Sequence, residues 1–186
     1  MKKLMLLATT LLAPALLAPS MASAAPMALT LTAGNTLSQT HSSAVMFTIT
    51  GTFKDLNGTL TFDPVTKACN VELNLVVKSM ELPNAIVRAQ VMSSSFLDPD
   101  TYPGMKYVGT CQGDQLVGNL TMHGQTHPFN LALTYVMKDG QLTGFDSVGT
   151  LNRYDWGLNG LQMMVGKMIK VNNDISLTGA PPVPPG

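Results

Sequence analysis

Residues 69–79 read CNVELNLVVKS and set a pattern that most of the chain repeats. Cys69, Val71, Leu73, Leu75 and Val77 fall on odd positions. The even positions, Val76 apart, are polar: Asn70, Glu72, Asn74 and Lys78. Successive side chains of a strand point to opposite faces, so this stretch predicts a long strand with one apolar and one wetted face. Strict alternation belongs to antiparallel sheets with one side turned from water. What that apolar side faces is the functional question.

Similar strands are expected at 27–33, 44–53, 59–62, 104–111, 115–123, 128–137, 142–152 and 168–178. Residues 34–43, GNTLSQTHSS, read as a polar connection. Asn57-Gly58 and Asp139-Gly140 are hairpin signals. One short helix is expected at about 84–93, where Ile86, Val87, Ala89, Gln90 and Met92 have helical spacing. Eight or nine strands in a meander with one helix fit a sandwich or a barrel. A barrel removes exposed edges and can hold one ligand.

The start of the chain reads differently. Lys2 and Lys3 precede an apolar run from Leu4 to Leu17, and Ala22-Ser23-Ala24 has the small-x-small pattern of a signal-peptidase site. A signal peptide of residues 1–24, cleaved after Ala24, predicts export to the periplasm. The apolar run is short and broken by Pro14 and Pro19, which argues against a membrane anchor. No cysteine lies near the cut, which argues against a lipid anchor. Without this leader, 162 residues remain, with 9 basic and 11 acidic side chains. Near-neutral charge without basic runs argues against nucleic acid as a partner. No later segment is long and apolar enough for a membrane span. Residues 25–178 form the expected domain, and 179–186, GAPPVPPG, a Pro-rich disordered tail.

Cys69 and Cys111 are the only cysteines. In an oxidising compartment a disulfide is favoured over two buried thiols. Pairing the strand from 69 antiparallel to the strand ending near 111 can set 69 opposite 111 and 77 opposite 103. A bridge there closes 42 residues.

Other stretches carry a resemblance. Phe96-Leu97-Asp98 is followed by Tyr102-Pro103 and a strand with Tyr107. Gly51-Thr52-Phe53, Asn57-Gly58 and Leu60-x-Phe62-Asp63-Pro64 come earlier, then Lys78-Ser79-Met80. Leu120-Thr121-Met122-His123-Gly124-Gln125-Thr126-His127-Pro128 and Leu151 to Leu158, LNRYDWGL, come later, and Val165-Gly166 leads into the last strand. In order and spacing these resemble the YceI-like family over about residues 28–178. The resemblance implies a lipocalin-like, extended antiparallel β-barrel, all-β, of about eight strands with one short helix. It also implies an exported protein that binds a long apolar chain, such as a polyisoprenoid, a quinone tail or a fatty amphiphile, in an internal tunnel. Two features depart from the family. Arg88 is followed by Ala89 where an aspartate is common, and only a short polar link joins 27–33 to 44–53.

The expected apolar lining is Phe47, Ile49, Phe62, Leu73, Leu75, Val77, Tyr107, Leu120, Met122, Leu131, Leu133, Phe145, Ile169 and Val171. Trp156, Met163 and Met164 join it from segment 155–166, which reads equally as a mouth or cap and as a strand connection whose Trp156 covers the barrel end. Flexible thioethers suit a surface that fits a variable chain. The same residues taken singly can also pack against each other, as inward residues of small barrels do. Arg153 and Asp155 read as a pair that fixes the cap.

No catalytic motif is present: no nucleophile elbow, clustered carboxylates or phosphate loop. His123 and His127 flank a turn, but no neighbouring Cys, Asp or Glu completes a metal shell. The expectation is therefore a non-catalytic carrier without metal or cofactor, whose partner is a long-chain isoprenoid or fatty amphiphile. The alternative is an envelope structural or interaction module with a packed barrel. The oligomeric state stays open, with a homodimer compatible.

Overall fold

A computed structural model describes residues 25–182. The leader expected at 1–24, its cleavage site and the last four residues of the Pro-rich tail lie outside that range.

Among the described residues, twelve strands and one α-helix follow in order. They are β1 (Met27–Thr32), β2 (Thr36–Ala44), β3 (Thr48–Phe53), β4 (Leu56–Phe62), β5 (Cys69–Val76), β6 (Met80–Glu81), α1 (Ala85–Val91), β7 (Gly104–Gln112), β8 (Gln115–Met122), β9 (Gln125–Pro128), β10 (Leu131–Lys138), β11 (Gln141–Asn152) and β12 (Val165–Ser176). All belong to one antiparallel sheet.

The twelve segments make eight staves. β1 and β2 run on from each other, and so do β3 and β4: β1 pairs β4 while β2 pairs β3. β5 and β6 follow the same line, pairing β4 and β3 in turn. β9 and β10 pair β8 in one continuous register, Met122 with Gln125 and Leu116 with Leu131. The meander then continues through β7, β8, β10, β11 and β12, and β12 pairs β2. The ring thus closes on the first stave, giving the antiparallel barrel that alternation and resemblance implied.

Three local expectations are corrected. Residues 34–43 are not a connection: most of them form β2, whose inward side chains are small and polar and so carry no apolar alternation. The stretch 44–53 is not one strand. The Ala44 N–H donates to the Phe47 carbonyl at 2.8 Å, and the chain reverses there. Asn57-Gly58 makes no hairpin. It lies within β4, where a Cβ on Gly58 would come within 2.0 Å of the Glu72 carbonyl oxygen. Glycine here serves close strand approach rather than a turn. Asp139-Gly140 does turn the chain, with both residues at positive φ (52° and 77°), as a two-residue hairpin requires.

The opening strand stops at Val76, and Val77–Ser79 form a single 3-10 turn. Its register with β7 is nonetheless the expected one. Val71 faces Gly109 and Leu75 faces Met105, the Val77 N–H donates to the Pro103 carbonyl at 2.9 Å, and Cys69 is disulfide-bonded to Cys111.

The barrel has two unlike halves. Near the 63–68, 113–114 and 139–140 turns it is filled. Phe62, Tyr135 and Phe145 pack with centroids 4.9–6.0 Å apart, and the disulfide lies among Leu60, Val71, Leu116 and Leu133. The other half is hollow.

Candidate functional site: an apolar chamber open at one end

The hollow half encloses a cavity of about 500 Å3. That lies within the range of small-molecule pockets. Its wall is built from inward positions of the staves: Leu73 and Leu75 on β5, Met105 and Tyr107 on β7, Leu120 and Met122 on β8, and Ile169 and Val171 on β12. Phe129, Leu131 and Leu151 complete it.

Tyr107 lies at the floor. Its ring crosses Gly109 and Gly118, where an added Cβ would come within 2.8 Å and 2.7 Å of it. Its hydroxyl donates to the Leu116 carbonyl at 3.2 Å. Burial raises the phenol's pKa well above its ordinary value, so the proton stays on.

Helix α1 forms one flank of the upper end, with Val87 and Val91 one turn apart and Phe96 and Leu97 behind them. The Asn84 side chain caps the helix by accepting from the Val87 N–H at 2.9 Å. Arg88 ties it down by donating to the carbonyls of Met80 at 2.5 Å and Lys78 at 2.8 Å. This role needs no following aspartate.

Next to Ile169 and Val171 of β12, β2 contributes Thr40 and Ser42, and Ser38 lies beside Asn173. The Ser38 hydroxyl donates to the Asn173 amide oxygen at 2.7 Å. Among the described residues the lining contains no Asp, Glu, Lys, Arg or His. A charged group inside would have no counter-ion, so the chamber suits uncharged, apolar matter with at most a few neutral polar contacts.

The mouth is formed by the β2–β3 tip, Val45-Met46-Phe47, by Ile86 of α1, and by Leu161 and Met164 of the segment before β12. Arg153 holds this last segment. It is fully buried and donates to the carbonyls of Leu158, Gly160 (2.7 Å), Val165 (3.1 Å) and Gly166 (3.1 Å). Its guanidinium also stacks on Tyr154 and Phe96, at 4.6 and 5.3 Å from the ring centroids. Burial lowers its pKa. Asp155 is not its partner but accepts from the Asn152 amide at 3.2 Å.

Eleven of the seventeen expected lining residues meet at the chamber: Phe47, Ile49, Leu73, Leu75, Tyr107, Leu120, Met122, Leu131, Met164, Ile169 and Val171. Six do not. Phe62, Leu133 and Phe145 share the inward phase but pack the filled half. Val77 is buried in the 3-10 turn beyond the strand. Trp156 is buried against His127 and Phe129, its indole N–H donating to the Leu120 carbonyl at 3.2 Å. Met163 points outward and is 95% exposed. The β2 hydroxyls lie outside the expected lining, whereas the helix expected near 84–93 does close a flank of the barrel and adds Val87 and Val91 to the wall. The period-2 run Thr36, Ser38, Thr40, Ser42 and the i,i+4 pair Val87, Val91 were the available signals.

His123 is bonded to the Trp156 carbonyl at 3.1 Å and His127 to Gln125 at 3.2 Å, so both serve the barrel end. Among the described residues no three His, Cys, Asp or Glu side chains group as metal ligands, and no helix is long and apolar enough to cross a membrane.

A closed eight-stave antiparallel barrel with a helix beside an apolar, one-ended chamber defines a lipocalin-like protein. More particularly, the family model described as the YceI-like domain matches residues 31–177, and the chain belongs to that family. A UPF0312 protein of Pseudomonas putida strain F1 is 35% identical, over 60% of this chain and 65% of the relative; one of Pseudomonas fluorescens is 32% identical over 59% and 64%. The match thus spans just under two thirds of these curated relatives. Among solved structures, Burkholderia cenocepacia BcnA superposes with a TM-score of 0.64 at 19% identity, covering 76% of this chain and 95% of that one. A polyisoprenoid binding domain from Saccharophagus degradans gives 0.56 at 11%, covering 80% and 96%. At such identities the likeness concerns the fold.

Proposed function

We propose that this chain binds a long apolar ligand, a polyisoprenoid, quinone tail or fatty amphiphile, in the chamber, and sequesters or carries it in the periplasm without covalent chemistry. The observation that carries this reading is the cavity of about 500 Å3 with no ionisable side chain but Tyr107 in its wall. Each methylene moved from water into such a space contributes about 0.8 kcal/mol, which is the driving force for capture. The Saccharophagus degradans domain, whose description names polyisoprenoid binding, shares the fold and supports the ligand class. The β2 hydroxyls offer a place inside for a neutral oxygen of the ligand. A charged head group would remain at the mouth, where water reaches it. A solid, ligand-free barrel is not favoured by a chamber of this size.

The test is native mass spectrometry with organic extraction of the protein purified from the envelope of its own host. A stoichiometric apolar chain is expected. Protein that emerges empty, and fails to take up an added isoprenoid or fatty amphiphile, would refute the reading.

A further inference from the structure

The rim of the chamber breaks the usual chemistry of exposed loops. Hairpin tips are normally built from Gly, Asn, Asp, Ser or Pro. The β2–β3 tip is instead Val45-Met46-Phe47, with Met46 91% exposed. On the adjoining segment before β12, whose Val165 pairs with Ala44, Met163 is almost wholly exposed and Met164 largely so, and Ile86 on α1 is exposed as well. Leu161 adopts φ +56°, a left-handed conformation unfavourable for a leucine, while lining the opening. Val45, Met46, Phe47, Ile86, Leu161 and Met164 come from three separate segments yet border one opening, and Met163 stands exposed next to Met164. Such a grouping of exposed apolar residues marks a contact surface.

Charge is arranged along the same axis. Near the mouth, Lys167 and Lys170 on β12 form no ion pair among the described residues, and Arg88 is held by carbonyl oxygens rather than a carboxylate. Among the described residues of that half, Asp55, beside Ser79, and Asp98 and Asp155 are the carboxylates without an ion pair. The filled end carries Asp63, Asp114, Asp139, Asp146 and Asp174 against Lys67 and Lys138. The open end is therefore the more positive pole and the filled end the negative one.

From this geometry we infer that the rim docks on an anionic lipid bilayer, mouth downward. The Val45-Met46-Phe47 tip, Ile86 and the Met163-Met164 loop enter the headgroup region while Lys167 and Lys170 meet lipid phosphates. This deepens the carrier reading and rests on it. A water-insoluble chain then passes between bilayer and chamber without crossing bulk water. Apolar side chains together with a few cations are the combination that holds proteins at a membrane interface.

The test is co-sedimentation of the purified full chain with vesicles of phosphatidylglycerol and phosphatidylethanolamine, and with vesicles of phosphatidylcholine alone. Binding to the anionic vesicles is expected to exceed binding to the neutral ones and to fall as salt rises. Met46→Asp and Met163→Asp should each weaken it about tenfold, the scale of losing one buried apolar side chain. Lys167→Glu should lessen the preference for anionic vesicles. Met163 lies outside the chamber lining and is 95% exposed, so Met163→Asp should keep the wild-type melting temperature, and the purified variant should still take up an added apolar chain. Wild-type binding that survives both methionine variants overturns the proposal. So does a rim that binds no vesicles but forms a Met46-dependent dimer by sedimentation velocity. Vesicle binding by a protein that never takes up an apolar chain would leave the docking intact and refute the carrier reading instead.

Discussion

The Tyr107 hydroxyl reaches across Gly118 to the Leu116 carbonyl, and this contact is the partition between the hollow and filled halves of the barrel. Tyr107→Phe should lose about 1 kcal/mol in urea unfolding, because the buried carbonyl loses its donor. Tyr107→Leu should deepen the chamber and shift the extracted ligand toward longer chains, read by mass spectrometry. Gly118→Ala should destabilise far more than either, since its methyl would lie 2.3 Å from the Val108 carbonyl oxygen.

Filling the chamber from its wall separates binding from folding. Val171 faces the cavity from β12. Val171→Trp places its added volume in open space rather than in a packed core. The expected outcome is loss of co-purified ligand with a melting temperature no lower than wild type freed of its ligand. Undiminished ligand would show that the chain sits elsewhere.

Arg153 is a buried cation whose partners are backbone carbonyls and aromatic faces. Its flat fork serves several acceptors at once, which a lysine ammonium cannot reproduce. Arg153→Lys should cost about 3 kcal/mol, the loss of one or two hydrogen bonds to a charged group. It should also speed hydrogen exchange at Leu158 and Val165. Undisturbed exchange there would mean the cap holds itself.

The Cys69–Cys111 bridge closes 42 residues between neighbouring staves. By loop entropy it should contribute roughly 4 kcal/mol. The double Cys→Ser variant should show that drop in urea, and reductant should do the same to the wild type. Ligand retention should be lost only as the barrel unfolds, because the bridge lies in the filled half.

Asp174 faces Asp146 across β11 and β12 and is nearly buried, with one carboxylate oxygen unpartnered. Burial first, and the Asp146 charge second, raise its pKa to about 6. An unfolded aspartate titrates near 3.9, so between about pH 4 and 6 the folded state holds a proton that the unfolded state has released. Stability is therefore highest at the acid side of this window and declines as pH rises to about 6, then levels. Asp174→Asn should flatten that decline and raise stability at neutral pH by about 2 kcal/mol. A pH profile unchanged by the substitution would place the titration elsewhere.

Period-2 alternation finds the strands whose inward face is apolar, because a stave buried on one face must alternate, but it passes over β2, whose inward residues are small and polar. The same alternation allows the register that sets Cys69 opposite Cys111, which the β5–β7 pairing adopts. Alternation is silent, however, about depth along the barrel. Phe62, Leu133 and Phe145 have the same inward phase as Leu73 and Leu120, yet the first three fill space and the last two border it. The Asn57-Gly58 pair carries strong turn chemistry but is overruled by β4–β5 pairing, whereas Val45-Met46-Phe47 carries none and forms the turn.

By itself, then, the sequence determined that the chain is an all-β barrel of this family, since face-by-face burial and motif order are local properties of the string. Only the tertiary structure decided that one half stays hollow, that β2 lends the chamber its hydroxyls, and that apolar side chains from three distant segments ring a single mouth. Those are matters of which side chains reach the barrel axis at each level. That depends on kinks, stave offsets and the lie of α1, none of which has a period to read.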